Sequence, residues 1–182
     1  MNFSIQPVLE NDKVLLIPLK EEDFEELYKV ASDAEIWKQH PNKDRYQREV
    51  FLTFFNGALQ SKGAFKIVDK ATGKTIGSTR FYDYNETDDS IFIGYTFYAV
   101  DCWGKGFNQS VKIMMLNYIF KYVSKVIFHI GANNIRSQIA ISRLGVTKTG
   151  EQEVAYHGEQ PKLNYVYEIN KKEWLSHHAD AL

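Results

Sequence analysis

The sequence is poor in cysteine, with only Cys102 among 182 residues. One thiol excludes an internal disulfide, and this fits a reducing cytosol. Cys102 could be a catalytic nucleophile or a small buried hydrophobe. No histidine lies near it in sequence, so the pattern favours the second interpretation.

Long apolar runs are also missing. No stretch approaches the roughly 18 apolar residues of a membrane-spanning helix. The first residues, MNFSIQPVLENDK, lack the basic start and apolar core of a signal peptide. We therefore expect a soluble cytoplasmic protein with no membrane partner.

Neither sign of charge dominates, because 22 Lys and Arg face 23 Asp and Glu, for a net charge of −1. This balance gives no general attraction to nucleic acid, and we expect neither a nucleic-acid partner nor a bound metal. Hydrophobic residues make up 44% of the chain, enough for a substantial core. No repeat or flexible linker divides the sequence, so we predict one domain over residues 1–182.

Apolar runs bounded by turn residues predict the strands. "KATGK" and "NETDD" read as the turns between the second, third and fourth of them. Gly94 lies inside the fourth strand, where a glycine often marks a bulge or a close approach. The predicted strands are Lys13–Pro18, Ala64–Asp69, Thr75–Tyr84, Ser90–Tyr98, Val126–Ile130, Lys148–Tyr156 and Leu163–Ile169.

Helical spacing of apolar residues predicts the helices. The clearest begins at Asn108, where apolar positions recur with helical spacing from Val111 to Val123. Others are predicted at Glu21–Ala31, Arg48–Gln60 and Ile135–Leu144, with a short one beginning near Asn170. The order of elements indicates an α+β fold, in which a mixed sheet of about seven strands carries helices on its faces.

The segment "WGKGFN", residues 103–108, leads into the clearest helix. The first amides of a helix have no partners within the helix, and glycines let phosphate oxygens approach them. The spacing is neither that of a P-loop nor that of a dinucleotide fingerprint. By itself the segment could be either a phosphate loop or a tight turn with positive φ angles.

A second helix entry, "NNIRS", places Asn134 where it can cap a helix, with Ser137 three residues later. Asn134 is either only a cap or also a ligand-binding group. Ser137 is either an ordinary polar residue of the first turn or a reactive one.

Together these segments resemble acetyl-CoA-dependent N-acetyltransferases of the GNAT superfamily. Within it, the chain resembles the branch of bacterial ribosomal-protein N-terminal acetyltransferases of the Rim type. The resemblance rests on four pieces in the right order. They are "KVLLIPLKEEDFEELYKVASDAEIWK", "IGYTF" with "WGKGFN", "NNIRSQIAISRLGVTKTGE" and the terminal "INKKEW".

The resemblance implies a twisted sheet with a V-shaped opening between its fourth and fifth strands, where the pantetheine arm of acetyl-CoA lies. It implies that loop amides hold the pyrophosphate and that backbone groups near the end of the fourth strand bind pantetheine. The chain departs from the family pattern at Ser110, where a glutamate is usual, and near Asn164, where an aspartate is usual. The cofactor-binding residues implied are Phe97, Tyr98, Val100, Trp103, Gly104, Lys105, Gly106, Phe107, Asn108, Asn134 and Ser137.

Acetyl transfer to an amine needs a neutral nucleophile, a polarised carbonyl and a stabilised leaving thiolate. By resemblance, Ser137 corresponds to the residue that protonates the thiolate. Glu153 is the base candidate from the sequence, although the pattern favours an ordinary strand residue that faces solvent. His129 alternates within an apolar strand, which favours a structural role.

Tyrosines that alternate along strands can line an acceptor pocket or simply pack in the core. The candidates for the acceptor side are Tyr82, Tyr84, Tyr95 and Tyr156. The expected function is acetyl transfer from acetyl-CoA to a primary amine, either a protein or peptide N-terminus or a small molecule, by a monomer or homodimer. The alternatives are a non-catalytic CoA-binding sensor or interaction module and, less well supported, a general nucleotide-binding domain.

Overall fold

A computed structural model describes residues 3–178 of the chain. The strands are β1 (Leu9–Glu10), β2 (Val14–Pro18), β3 (Ala64–Asp69), β4 (Thr75–Asn85), β5 (Ser90–Tyr98), β6 (Lys125–Gly131), β7 (Thr147–Val154) and β8 (Lys162–Asn170). The helices are α1 (Phe24–Ala31), α2 (Ala34–Trp37), α3 (Arg48–Gln60), α4 (Phe107–Ile119), α5 (Ile135–Ser142) and α6 (Lys171–His177). Short 3-10 turns at Glu21–Asp23 and Val100–Cys102 precede α1 and α4.

Most of these elements match the predicted ones. Helix α3 has the predicted bounds, whereas α4 ends at Ile119 instead of continuing to Val123. The apolar spacing continues past the end of the helix because Val123 still packs in the core, at 2% exposure, from the turn that follows. The sequence did not predict β1 or α2, because two and four residues are too few to show a period.

The strands form one sheet of eight, in the order β1-β2-β3-β4-β5-β6-β8-β7. Every neighbouring pair is antiparallel except β5 and β6, which run parallel. That pair is bonded only from Ser90–Phe92 to Lys125–Ile127, so the two strands part over the second half of β5. The predicted V-shaped opening is confirmed, between the strands labelled β5 and β6 once the short β1 is counted.

Each face of the sheet carries its own hydrophobic core. On one face α4 and α6 pack through residues such as Met115, Ile119 and Trp174. On the other face α1, α2 and α3 pack through residues such as Leu27, Trp37 and Phe51. The predicted α+β fold with helices on both faces is therefore confirmed.

A bulge interrupts β5 beside the opening. Arg80 of β4 pairs with Gly94 and Ser78 pairs with Phe97, so β5 carries one residue more than β4 between these pairs. Tyr95 takes up the irregularity with a φ of 53°. A Cβ on Gly94 would lie 3.1 Å from Cε1 of Tyr82, so the glycine lets that ring pack against the strand. Both features expected of Gly94, a bulge and a close approach, are present.

Across residues 3–178, the structure contains no helix with the length and apolar character needed to cross a membrane.

Candidate active site

A cleft of about 680 Å³ opens where β5 and β6 part. Its walls come from the second half of β5, the start of α4, the end of β6, the start of α5 and the segment 36–45. The predicted cofactor-binding residues that line it are Phe97, Tyr98, Trp103, Gly104, Gly106, Phe107, Asn108, Asn134 and Ser137.

Two residues predicted to bind the cofactor lie outside this lining. Val100 begins the 3-10 turn, where its carbonyl accepts a hydrogen bond from the Trp103 amide at 3.1 Å. Lys105 is exposed, and its carbonyl accepts a hydrogen bond from Nζ of Lys13. The lysine side chain that reaches back to the loop is therefore Lys13, which also lies 4.7 Å above the ring of Phe107. Its distance in sequence from the loop concealed this contact.

Both glycines of the glycine loop, residues 103–108, adopt a backbone conformation that is strained for any other residue. Gly104 and Gly106 have φ angles of 72° and 78°, in the left-handed region that disfavours other residues. Gly106 is the N-cap of α4, and no side chain caps that helix. A Cβ built on Gly104 would meet no atom within 4 Å, so open space lies on that side of the loop. The first amides of α4 thus remain available to a ligand with negative charge.

Trp103 joins the end of β5 to the start of α5. Its indole Nε1 donates a hydrogen bond to the carbonyl of Tyr98 at 3.3 Å. The guanidinium of Arg136 lies 3.6 Å from the centroid of the indole ring, a cation–π contact. Burial lowers the pKa of Arg136, which nevertheless remains a cation at neutral pH.

Asn134 caps α5, because its Oδ1 accepts a hydrogen bond from the Ser137 amide at 3.2 Å. It is 4% exposed and lines the cleft, so the capping group and the cleft wall are the same side chain. The cap holds Ser137 in the first turn of α5, also against the cleft. The structure thus brings the two predicted residues of this helix together with the glycine loop.

Glu153 does not reach the cleft. It is exposed on β7, where it pairs with Leu163 of β8. Because β8 lies between β6 and β7, two strands, β6 and β8, separate a residue on β7 from the opening. This placement argues against the predicted role as base, and the strand order responsible could not be read from the sequence.

The predicted acceptor tyrosines divide into three groups. Tyr95 and Tyr156 line the cleft, with ring centroids 5.3 Å apart in an edge-on arrangement. Tyr82 is 8% exposed and packs behind Tyr95 at 4.9 Å, outside the lining. Tyr84 lies on the opposite face of the sheet, against the ring of Phe3.

The assignment of Tyr84 to the acceptor side is therefore wrong. Between Tyr82 and Asn85, β4 carries one residue more than β5, and Asp83 has a φ of 50°. Such an irregularity reverses the alternation of side chains, so that Tyr84 shares a face with Phe81 instead of Tyr82. A plain count of two along the strand misses this reversal.

The hydroxyl of Tyr156 is oriented by a buried amide. Asn164 is fully buried, and its Nδ2 donates to the carbonyl of Lys162 at 2.9 Å. Its Oδ1 accepts a hydrogen bond from the Tyr156 hydroxyl at 2.7 Å. The proton of that hydroxyl is therefore committed to Asn164, and the oxygen can offer only lone pairs to the cleft.

Two buried arginines stand behind the tyrosines, and sequence analysis missed both. Arg45 lines the cleft and forms two hydrogen bonds of 2.8 Å with the carboxylate of Glu159. Arg80 lies 3.7 Å from the ring centroid of Tyr95, and its Nη1 donates to the carbonyl of Gly57 at 3.0 Å. Burial lowers the pKa of Arg80 to about 10, which still leaves it charged at neutral pH.

The cleft has a positive character. Among the described residues, no Asp or Glu lines it, whereas Lys112, Arg136 and Arg143 do, together with Arg45, whose charge is paired with Glu159. Burial, and then the charges of Arg45 and Arg136, lower the pKa of His40 to about 3, so this ring is neutral.

Two further titratable residues of the lining bear on the chemistry. Burial lowers the pKa of His129, whose ring lies 4.8 Å from that of Phe92. Burial raises the pKa of the Cys102 thiol to about 11, which leaves it protonated and a poor nucleophile at neutral pH.

The chain matches the model of the acetyltransferase (GNAT) domain over residues 13–147. Similar solved structures include a GCN5-related N-acetyltransferase from Brucella melitensis, at 18% identity and a TM-score of 0.79, covering 100% of this chain and 90% of that one. A Vibrio cholerae spermidine N-acetyltransferase in complex with CoA and spermine has 17% identity and a TM-score of 0.66, covering 91% and 99%. A second Vibrio cholerae protein, assigned as a ribosomal-protein-serine acetyltransferase, has 15% identity and a TM-score of 0.70, covering 92% and 99%.

Proposed function

The chain belongs to the GNAT acetyltransferase family, whose acetyl donor is acetyl-CoA, and from that premise we propose that it acetylates a primary amine. In this proposal residues 1–182 act as one catalytic domain. The observation that carries it is that the glycine loop and the Tyr95–Tyr156 wall open onto the same cleft. One end suits a diphosphate and the other an acceptor.

The residues present fit the donor. Open space beside Gly104 leaves the amides at the start of α4 accessible, and Nζ of Lys13 lies 3.5 Å from the Cβ position of Gly106; both the helix dipole and this cation favour a diphosphate there. Within the described chain, two buried side-chain atoms have no hydrogen-bond partner, Oη of Tyr98 and Oδ1 of Asn108. Both residues line the cleft, and a bound acyl-CoA would supply the polar partners that these atoms lack.

Direct attack in a ternary complex accounts for the transfer. The amine nitrogen forms a bond to the acyl carbon, the carbon–sulfur bond breaks, and the amine gives up a proton. In this scheme Ser137 protonates the departing thiolate, and its hydroxyl recovers a proton, through water, from the acylated nitrogen. Backbone N–H groups near the β5 bulge stabilise the charge that develops on the carbonyl oxygen. Holding both reactants in one cleft supplies much of the remaining acceleration.

Tyr156 orients the acceptor. Because its hydroxyl proton is committed to Asn164, its oxygen accepts a hydrogen bond from the amine. The positive lining disfavours an ammonium ion, so the amine binds in its neutral, nucleophilic form. For the same reason a polycation is a poor acceptor. The fold resembles that of the spermidine N-acetyltransferase, but the proposed acceptor is a monoamine or a peptide N-terminus.

The test is acetyl-CoA-dependent release of free thiol with a panel of acceptors. The panel contains spermidine, tyramine, and short peptides with free and with blocked N-termini. Turnover with tyramine or a free N-terminal peptide, and little with spermidine or the blocked peptide, is the expected result. Tight acetyl-CoA binding with no turnover on any acceptor would instead identify a CoA-binding module.

A further inference from the structure

Lys112 is a buried lysine that the proposed transfer does not use. It lies on α4, five residues after the first residue of the helix, and is 4% exposed. Its Nζ donates to Oγ1 of Thr96 at 2.7 Å and to Oγ1 of Thr79 at 3.2 Å. Both partners are neutral hydroxyls, so no carboxylate compensates for a charge on this lysine.

The hydrogen bonds around these two threonines leave one position of Nζ unused. The hydroxyls of Thr79 and Thr96 lie 2.8 Å apart, and the Thr96 hydroxyl donates to the carbonyl of Gly94 at 3.3 Å. The hydroxyl protons can therefore be placed in one chain, from Thr79 to Thr96 to Gly94, with Nζ donating to both oxygens. An ammonium group has three hydrogens, so one remains after these two bonds.

Lys112 is part of the cleft lining, so a ligand in the cleft is the partner available to the free position of Nζ. Thr96 follows the bulged residue Tyr95, four residues past Phe92, the last residue of β5 that pairs with β6. Lys112 thus stands between the glycine loop and the bulge. A rise of about 1.5 Å per residue puts it roughly 7–8 Å along α4 from the first helical residue.

We propose that Lys112 is a donor-binding group, which gives its third N–H to a carbonyl oxygen of the acyl-pantetheine arm. This inference rests on the proposed placement of acetyl-CoA in the cleft. It adds a residue to that site for which the sequence offered no signal, because a lysine within an amphipathic helix normally faces solvent.

Proton uptake follows from what surrounds the group. Burial lowers the pKa of Lys112 to about 7 in the free protein, and no charged side chain contributes to that shift. From β4 and β5 it faces the threonine hydroxyls, and from α4 the thioether of Met115 lies against Thr79. A carbonyl acceptor and a diphosphate at the start of α4 both favour the charged form, so binding raises the pKa.

The experiment is calorimetry with acetyl-CoA, without an acceptor, from pH 7 to 9 and in buffers of different ionisation enthalpy. The unaltered protein is expected to bind more weakly as the pH rises, by up to about tenfold per pH unit, and to take up protons on binding. Lys112→Met is expected to bind about tenfold or more weakly at pH 7, from loss of a charge-assisted hydrogen bond. It should also lose the proton uptake.

Two further variants make the result specific. Lys66→Met removes a partly buried lysine that pairs with Asp23 outside the cleft lining, and it should leave the affinity and the proton uptake unchanged. Thr96→Val keeps the lysine but removes its nearer anchor, so affinity should fall while proton uptake remains. A thermal melt of each variant confirms that it is folded.

The outcomes separate this inference from the proposed function. Equal affinity and equal proton uptake in the unaltered protein and Lys112→Met would overturn the role of Lys112 and leave the cleft as the donor site. Absence of any acetyl-CoA binding by the unaltered protein would overturn the proposed function itself, and this inference with it.

Discussion

Arg45 and Glu159 form a buried ion pair with two bonds, Nε to Oε1 and Nη2 to Oε2, each of 2.8 Å. Their side chains are 3% and 10% exposed. The pair ties the segment before α3 to the β7–β8 turn, and its guanidinium lies 5.3 Å from the ring centroid of Tyr156. The acceptor end of the cleft is thus held by two segments that are distant in sequence.

Removing one partner of this pair should destabilise the fold strongly. Glu159→Ala leaves the Arg45 charge buried without its carboxylate, and we expect a loss of about 3–5 kcal/mol in the free energy of unfolding. Chemical denaturation measures it. Glu25→Ala breaks the exposed pair between Glu25 and Arg48 and should barely move the midpoint. Similar small losses in both variants would show that the buried pair does not hold the fold.

A side chain at position 104 should leave the protein folded but abolish the binding of CoA. Gly104→Val places a branched side chain in the open space beside the first amides of α4, so binding of CoA should be lost in calorimetry. Gly73→Val is the matched control, because Gly73 has a similar φ of 70°, has no atom within 4 Å of its Cβ position and lies in the β3–β4 turn. It carries the same backbone strain and should retain CoA binding. Unchanged binding in Gly104→Val would remove the loop from the donor site.

Much of this arrangement could be predicted from residue patterns. The predictions that failed did so for physical reasons that can be named. The strands, the helices and the glycine loop are local features, in which period and backbone conformation are visible in neighbouring residues. Glu153 was misplaced because strand order depends on which edges pair, and β8 inserts between β6 and β7. Tyr84 was misplaced because a single irregular residue, Asp83, reverses the faces of a strand.

Residues that long-range packing brings to the cleft or behind it could not be identified from the sequence pattern. Arg45 and Glu159 are 114 positions apart, and nothing near either one indicates a pair. Lys112 lies in a helix whose apolar period is clear without it, so that it reads as a surface residue. A charged residue that is buried although its position in the sequence indicates the surface is found only when the tertiary structure is known.

Tyr156→Phe should weaken the binding of the acceptor amine without changing the binding of acetyl-CoA. The phenylalanine ring keeps the contacts with Tyr95 and Arg45 but removes the oxygen proposed to accept the amine hydrogen bond. We expect the KM for the amine to rise about tenfold, as for a hydrogen bond of ~1.4 kcal/mol, with an unchanged Kd for acetyl-CoA. Tyr165→Phe alters a tyrosine outside the cleft lining and serves as the control. An unchanged KM in Tyr156→Phe would leave that residue with a packing role only.

Ser137→Ala should slow the chemical step more than it weakens binding. If the hydroxyl protonates the thiolate, its loss should lower kcat by about 100-fold, with little change in the Kd for acetyl-CoA. The Asn134 cap uses the backbone amide of residue 137 and so survives the substitution. Ser142→Ala, on the same helix but exposed, should retain full turnover. Equal kcat values in the two variants would exclude Ser137 as the acid.

Lys112 also predicts how stability depends on pH. Its pKa is about 7 in the folded protein against an ordinary value of 10.5, so between these values the unfolded chain binds more protons. Stability should therefore rise with pH across this window, and the burial cost should be greatest at pH 7 and below.

Lys112→Met removes that cost, since methionine fills much of the same volume without a charge. At about 1.4 kcal/mol per pKa unit, the variant should gain a few kcal/mol at pH 7, and this gain should shrink toward pH 10. Thermal melts of both proteins from pH 6 to 10 measure the difference. Lys125→Met, which removes a half-buried lysine paired with Asp88, should show no such gain. A difference between the Lys112 variant and the unaltered protein that stays constant with pH would mean that Lys112 keeps its ordinary pKa, because only a group that changes protonation on unfolding gives stability a slope in pH.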